Sequence, residues 1–161
     1  MNVILWPDPR LSKAAVPAPV DDALRAIGER LLAVVIAAPA YGLAAAHIGE
    51  VAPVVVITMD EAGQDRRILF NPKVISAAEE TAPGTEGSVS LPDIRVEISR
   101  PIWCELAYED AEGQKQSARL EGFAARVAQH EIDQMNGVFF LDRLSRLKRD
   151  MALKKWKKRA G

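Results

Sequence analysis

The sequence predicts an α+β domain. Apolar residues recur at helical spacing near the N-terminus and again over 121–159, while the stretch between them is written in short β-branched or alternating runs separated by turns. At 161 residues, 48% hydrophobic and 27% charged, the chain is long enough for one core and too short for two comfortable domains, so the expected unit is 1–161. That apolar content excludes a disordered chain, and Cys104 as the lone cysteine excludes a disulfide scaffold. A thiol-reducing setting follows, and the expected compartment is the cytoplasm.

The opening MNVILWPDPRL carries no basic segment before its apolar run, and Pro7 and Pro9 end that run early, so neither an export signal nor a membrane anchor is read there. Asp21 can cap a helix over about 22–38, in which Leu24, Ile27, Leu31, Leu32, Val35 and Ile36 share a stripe and which Pro39 stops. Gly42 and Gly49 then bracket small residues that permit close backbone approach. A buried strand is expected at 54–60, a turn at Glu61-Ala62-Gly63, and a second strand at 68–76 whose Pro72 marks an edge or a bulge. The segment 78–92 reads as loop. Antiparallel strands are expected at 94–98, 102–108 and 115–120, the last two joined by a turn at Asp110–Gly113.

A helix over about 121–136 places Phe123, Ala124, Val127, Ala128, Ile132 and Met135 on one face, and Asn136-Gly137 ends it. Glu131 falls inside that apolar face, where an unpaired charge costs several kcal/mol, so it must be paired or functional. A last helix, 143–159, sets Leu144, Leu147, Met151 and Trp156 on one side among basic residues. Residues 142–161 carry nine Lys/Arg and two Asp, a net +7, against −8 for the rest of the chain. Such asymmetry points to a polyanionic partner or to a solvated helix face.

The chemistry-bearing pattern is His130-Glu131 with Gln134. In H-E-x-x-H, two His one helical turn apart bind a metal and the Glu is general base; HEIDQ lacks the second His and taken alone reads as ordinary helix. Read together, YGLAAAH at 41–47, EGSVSLP at 86–92 and QHEIDQMNG at 129–137 resemble, in order and approximate spacing, the peptide deformylase motifs GxGLAAxQ, EGCLS and QHExDH. ILWPDPRLSKAA, ILFNPKVIS and FFLDRLS resemble further segments of that family, so the similarity covers nearly the whole chain. The resemblance implies sheets wrapped around a central HExxH-type helix, followed by a C-terminal helix.

It also implies removal of formyl groups from N-formylmethionine peptides by Fe²⁺ or Zn²⁺, held by the motif Cys and both His. Carried over, the ligand positions are Ser88, His130 and Gln134, and the base is Glu131. A Ser hydroxyl is neutral near pH 7 and Gln is a weak ligand, so His130 remains as a weak metal residue and no metal is expected at full occupancy. His47 stands where the family's Gln polarises the substrate carbonyl; it is read as a hydrogen-bonding catalytic residue, a new ligand or structure. Arg126 takes a position that is usually apolar in the methionine pocket, and it either fills the pocket or turns outward to Asp133 or Glu121. Tyr41 crowds the same pocket. Gly42, Leu43, Ser88, Val89 and Arg95 fall at peptide-groove positions. Cys104 reads as a small buried hydrophobe.

The pattern is similar to that of deformylase-like paralogues. The leading expectation is a protein with little or no deformylase activity, keeping a cleft for a peptide N-terminus or small acyl ligand and a basic C-terminal helix that contacts the ribosome. The competing expectation is a hydrolase with a rebuilt site, in which Glu131 works with His130 and His47, or with Ser88 as nucleophile and Arg126 or His47 as oxyanion partner. A third is a structural protein whose cleft is filled. Oligomeric state is not encoded in any pattern found here.

Overall fold

The structure, a computed structural model, describes residues 3–38 and 40–160. A 3₁₀ turn at Pro9–Ser12 precedes helix α1, Asp22–Ala37, whose Asp21 cap accepts the Leu24 amide at 2.8 Å. Pro39, expected to stop this helix, lies outside the described residues. Strands β1 Gly42–Ala44, β2 Val54–Thr58, β3 Arg66–Ala77, β6 Trp103–Glu109 and β7 Lys115–Glu121 form one antiparallel sheet in the order β1-β2-β3-β6-β7. Strands β4 Thr81–Ser88 and β5 Leu91–Pro101 form a separate ribbon. Helices α2, Gly122–Met135, and α3, Arg146–Ala160, complete the α+β chain.

Helices cover both faces of the large sheet, which explains the unbroken apolar run of β2. Val54, Val56 and Phe70 pack toward Leu24, Leu31 and Val35 of α1, while Val55, Ile57 and Leu69 pack toward Ala124, Ala128 and Ile132 of α2. β3 is an interior strand, and Pro72 is accommodated by a register shift between Phe70 and Lys73, so the bulge applies and the edge does not. A third cluster joins Leu91, Ile94 and Ile98 of β5 to Phe139, Phe140, Leu141 and Trp156.

Three sequence expectations are corrected. The loop read over 78–92 contains β4 and the start of β5, because pairing from Thr81↔Pro101 to Ser88↔Leu91 supplies the order that its Gly, Pro and Ser residues lack locally. β5 is accordingly twice as long as the alternation at 94–98 suggested. The last helix starts at Arg146 rather than at 143, because Phe140–Arg143 closes into a 3₁₀ turn. Its buried side is Ala152 and Trp156, whereas Leu147 and Met151 are exposed. Helix α2 ends as expected, with Asn136 at the cap and Gly137 at φ +79°.

Candidate functional site

Helix α2 runs beneath β1 and beside the β4/β5 ribbon, and the gap between them is an open cleft of about 570 Å³. Its rims are sheet edges, since β1 pairs only with β2 and β4 only with β5 among the described residues. Gly42 allows the close approach of β1 to α2, because a Cβ there would meet Val127 Cγ1 at 2.9 Å and Glu131 Cγ at 3.1 Å. The cleft brings together Gly42, Leu43 and His47 from β1 and the turn after it, Ser88, Val89 and Arg95 from the β4/β5 ribbon, and Arg126, His130 and Glu131 from α2. Gln134 does not line it. An open cleft disfavours the reading in which the former site is filled.

The electrostatic centre is Glu86. Its carboxylate accepts Nε and Nη2 of Arg100 at 2.6 and 2.9 Å, Nη1 of Arg126 at 2.7 Å, and pairs with His130 Nδ1 at 2.7 Å. Burial pushes its pKa up, but the bonds from His130 and Arg100 outweigh burial and hold it at about 2. Burial likewise pushes His130 down, yet the neighbouring Glu131 and Glu86 carboxylates leave its pKa above the ordinary 6.5. With Nδ1 engaged by a carboxylate, the free ring nitrogen of His130 is Nε2. Arg100 continues the network to Asp133 at 2.9 Å, and Asp133 binds Arg143 at 2.7 Å.

Arg126 turns neither to Asp133 nor to Glu121. It is anchored in the cleft wall by Glu86 and by the carbonyls of Ile98 and Ala82 at 2.8 and 2.7 Å, over Gly84, where a Cβ would lie 2.6 Å from its guanidinium carbon. Three of its donor contacts are thereby committed, which argues against its service as an oxyanion partner. Tyr41 meets Phe123 edge to face at 4.6 Å on the opposite rim.

Glu131 is buried, as its place on the apolar face required, but Arg126 does not pair with it. His47 approaches it with Nε2 3.4 Å from Oε1, His130 lies close enough for its charge to be felt, and Oε1 has no hydrogen bond among the described residues. His47 is itself fixed by Nδ1 to the Ser90 hydroxyl at 2.8 Å. At the remaining motif positions, Ser88 Oγ accepts the Ser90 amide at 3.1 Å, and the buried Gln134 amide donates to the Leu11 carbonyl at 2.6 Å. Cys104 is fully buried in β6, and burial pushes its thiol up to about 11.

Glu86, Arg100 and Ser90 were not singled out from sequence. Arg100 had a signal: it shares the inward register of β5 with Ile94 and Ile98, where a charge demands a partner. Glu86 opens the EGSVS motif, yet nothing local reveals that three cationic groups converge on it.

Among the described residues, no three His, Cys, Asp or Glu side chains are grouped so as to hold a metal ion, and no helix is long and apolar enough to cross a membrane. The chain is 40% identical over 157 residues to a "Peptide deformylase-like" protein of Brucella melitensis, covering 97% of this chain and 95% of that one. It is also 40% identical over 163 residues to a "Peptide deformylase" of Mesorhizobium japonicum, covering 98% of this chain and 92% of that one. The crystal structure of peptide deformylase from Ehrlichia chaffeensis superposes with a TM-score of 0.91 at 30% identity, covering 99% of this chain and 96% of that one. The family described as polypeptide deformylase matches residues 1–150, spanning every cleft residue named above, and with the shared fold this makes the chain a member of the peptide deformylase family.

Proposed function

We propose that this chain keeps the family's fold and peptide cleft but has little or no N-formylmethionine deformylase activity, and that the cleft serves to bind a peptide N-terminus. The observation that carries this reading is Gln134. Its amide is buried and spent on the Leu11 carbonyl at 2.6 Å, so the position of the family's second His presents no imidazole lone pair. Ser88 supplies a neutral hydroxyl already accepting a backbone amide, so of the three positions that correspond to the family's ligands only His130 offers a good ligand atom, Nε2. One imidazole with a hydroxyl and an amide does not fit the Fe²⁺ or Zn²⁺ that the family uses, since both ions favour anionic thiolate or several imidazoles.

The free edges of β1 and β4 support peptide binding, because an extended chain can pair along either edge as an added strand. The basic C-terminal helix supports a ribosomal contact. Trp156 and Ala152 hold it down while Lys154, Lys155, Lys157 and Lys158 point to solvent. The proposed compartment is accordingly the cytoplasm.

A second reading has one observation in its favour. Glu131 keeps an unpartnered carboxylate oxygen beside His47, a pair that a rebuilt acyl hydrolase would use as base and hydrogen-bond donor. Elemental analysis of anaerobically purified protein, run with turnover of formyl-Met-Ala-Ser, separates the two. Metal far below stoichiometric and no turnover are expected. A stoichiometric metal that disappears in His130→Ala, together with turnover, overturns the leading reading.

A further inference from the structure

A second cavity, of about 350 Å³, lies outside the cleft between β5 and helix α3. Its walls are apolar, with Ile94 and Val96 from β5, Leu144 before α3, and Met151 and Ala152 on the helix. Met151 stands 63% exposed there. Around this surface are Arg95, Lys148 and Lys155 against one acid, Glu97. None of the three cations enters an ion pair among the described residues, whereas neighbouring Arg149 pairs with Asp142 and Arg159 with Asp93.

The charge in the groove is polarised. Arg159 holds Asp93, and Trp156 shares a cluster with Ile94, so the end of α3 lies at the start of β5 and the two elements run antiparallel. Arg95 and Lys155 therefore share one end of the groove, and Glu97 and Lys148 the other. Asp93, which could have answered the first pair, is taken by Arg159. We propose that this groove binds a single-chain amphiphilic anion, a free medium-chain carboxylate, with its head group between Arg95 and Lys155 and its alkyl chain along Val96, Leu144 and Met151. Size supports this occupant. Residues 148–155 of α3 span about 10 Å, which gives the cavity a mean section of roughly 35 Å², under half that of a helix about 10 Å across and below the roughly 4.8 by 10 Å of an extended strand. An unbranched alkyl chain is narrower than either, and that length holds on the order of eight carbons joined by bonds of about 1.5 Å. Arg95 also lines the peptide cleft, but the rest of the groove is separate from it, so binding here does not depend on what the cleft does.

Isothermal titration calorimetry of the full chain at pH 7 with hexanoate, octanoate and decanoate, each below its micelle concentration, tests the proposal. Octanoate should bind one site per chain, each methylene up to octanoate should tighten binding by up to about fourfold, and decanoate should add little. Octyltrimethylammonium should not bind. Lys155→Glu and Met151→Glu, both at exposed positions, should each weaken octanoate at least about tenfold, the scale of one charged hydrogen bond. Lys154→Glu, the same charge change outside the groove, should leave it unchanged. Absence of saturable binding, no dependence on chain length, an equal loss in Lys154→Glu, or binding that survives both groove variants and so belongs to the cleft would each overturn the proposal. So would an acidic peptide, anionic vesicles or a second copy of this chain that binds through Lys155 and Met151 while octanoate does not.

Discussion

Glu86 shows how much one buried residue organises. It ties α2, β4 and β5 through Arg126, His130 and Arg100, all hydrogen-bonded within 2.6–2.9 Å. Its ordinary pKa of 4.5 falls to about 2 in the fold, so between these values the unfolded chain binds the extra proton. The stabilisation is therefore complete above about 4.5, is lost as pH falls toward 2, and amounts to about 3 kcal/mol at most. His130 has the opposite sign. Its raised pKa gives stability that is complete below 6.5 and is lost as pH rises through the folded value. Urea denaturation across pH should show a plateau between these limits. Glu86→Gln should cost about 3–5 kcal/mol near pH 6 and flatten the acid limb. An acid limb of unchanged slope would show that other carboxylates set it. Helical spacing put Glu131 on the buried face of α2, and the motif resemblance singled out His130 and Arg126; Glu86 and Arg100 stayed unmarked, because their convergence depends on strand pairing.

At the scale of elements, α2 and β4 decide what the centre can hold. Gln134 and Ser88 stand where the sequence resemblance places two of the family's ligands, and each is tied to backbone, Gln134 to the N-terminal 3₁₀ turn and Ser88 to Ser90 in the β4–β5 turn. A His at 134 can give its Nδ1–H to the Leu11 carbonyl and leave Nε2 free, while a Cys at 88 supplies a thiolate. The double change Ser88→Cys/Gln134→His should therefore raise metal content close to stoichiometric, with each single change well short of it. Elemental analysis after dialysis checks this, and a double variant that stays metal-free would mean that α2 and β4 have moved apart from a ligating geometry. Helix α2 was legible from its periodicity and its Asn136-Gly137 end. β4 was not, because Thr-Ala-Pro-Gly-Thr-Glu-Gly-Ser has almost no strand propensity and is ordered by β5 and by Arg126 lying over Gly84.

Across the whole molecule the charge is divided, +7 on residues 142–161 and −8 elsewhere, and the fold keeps this division visible by docking α3 through Ala152 and Trp156. Replacing exposed Lys154, Lys157 and Lys158 by Glu leaves that docking intact and should abolish the proposed ribosome cosedimentation, which should also weaken steeply with salt. Unchanged cosedimentation would remove the ribosomal part of the proposal. The sequence by itself determined the α+β class, the order of most elements, the family motifs and the identity of the residues at the former ligand positions, because these follow from periodicity, turn chemistry and residue type along a contiguous stretch. Only the tertiary structure decided that Arg126 lies in the cleft wall, that Gln134 faces Leu11, that Leu147 and Met151 are exposed, and that Glu131 lacks a full partner. Each of these depends on which groups the packed elements bring together, and long-range proximity is set by packing rather than by spacing in the chain.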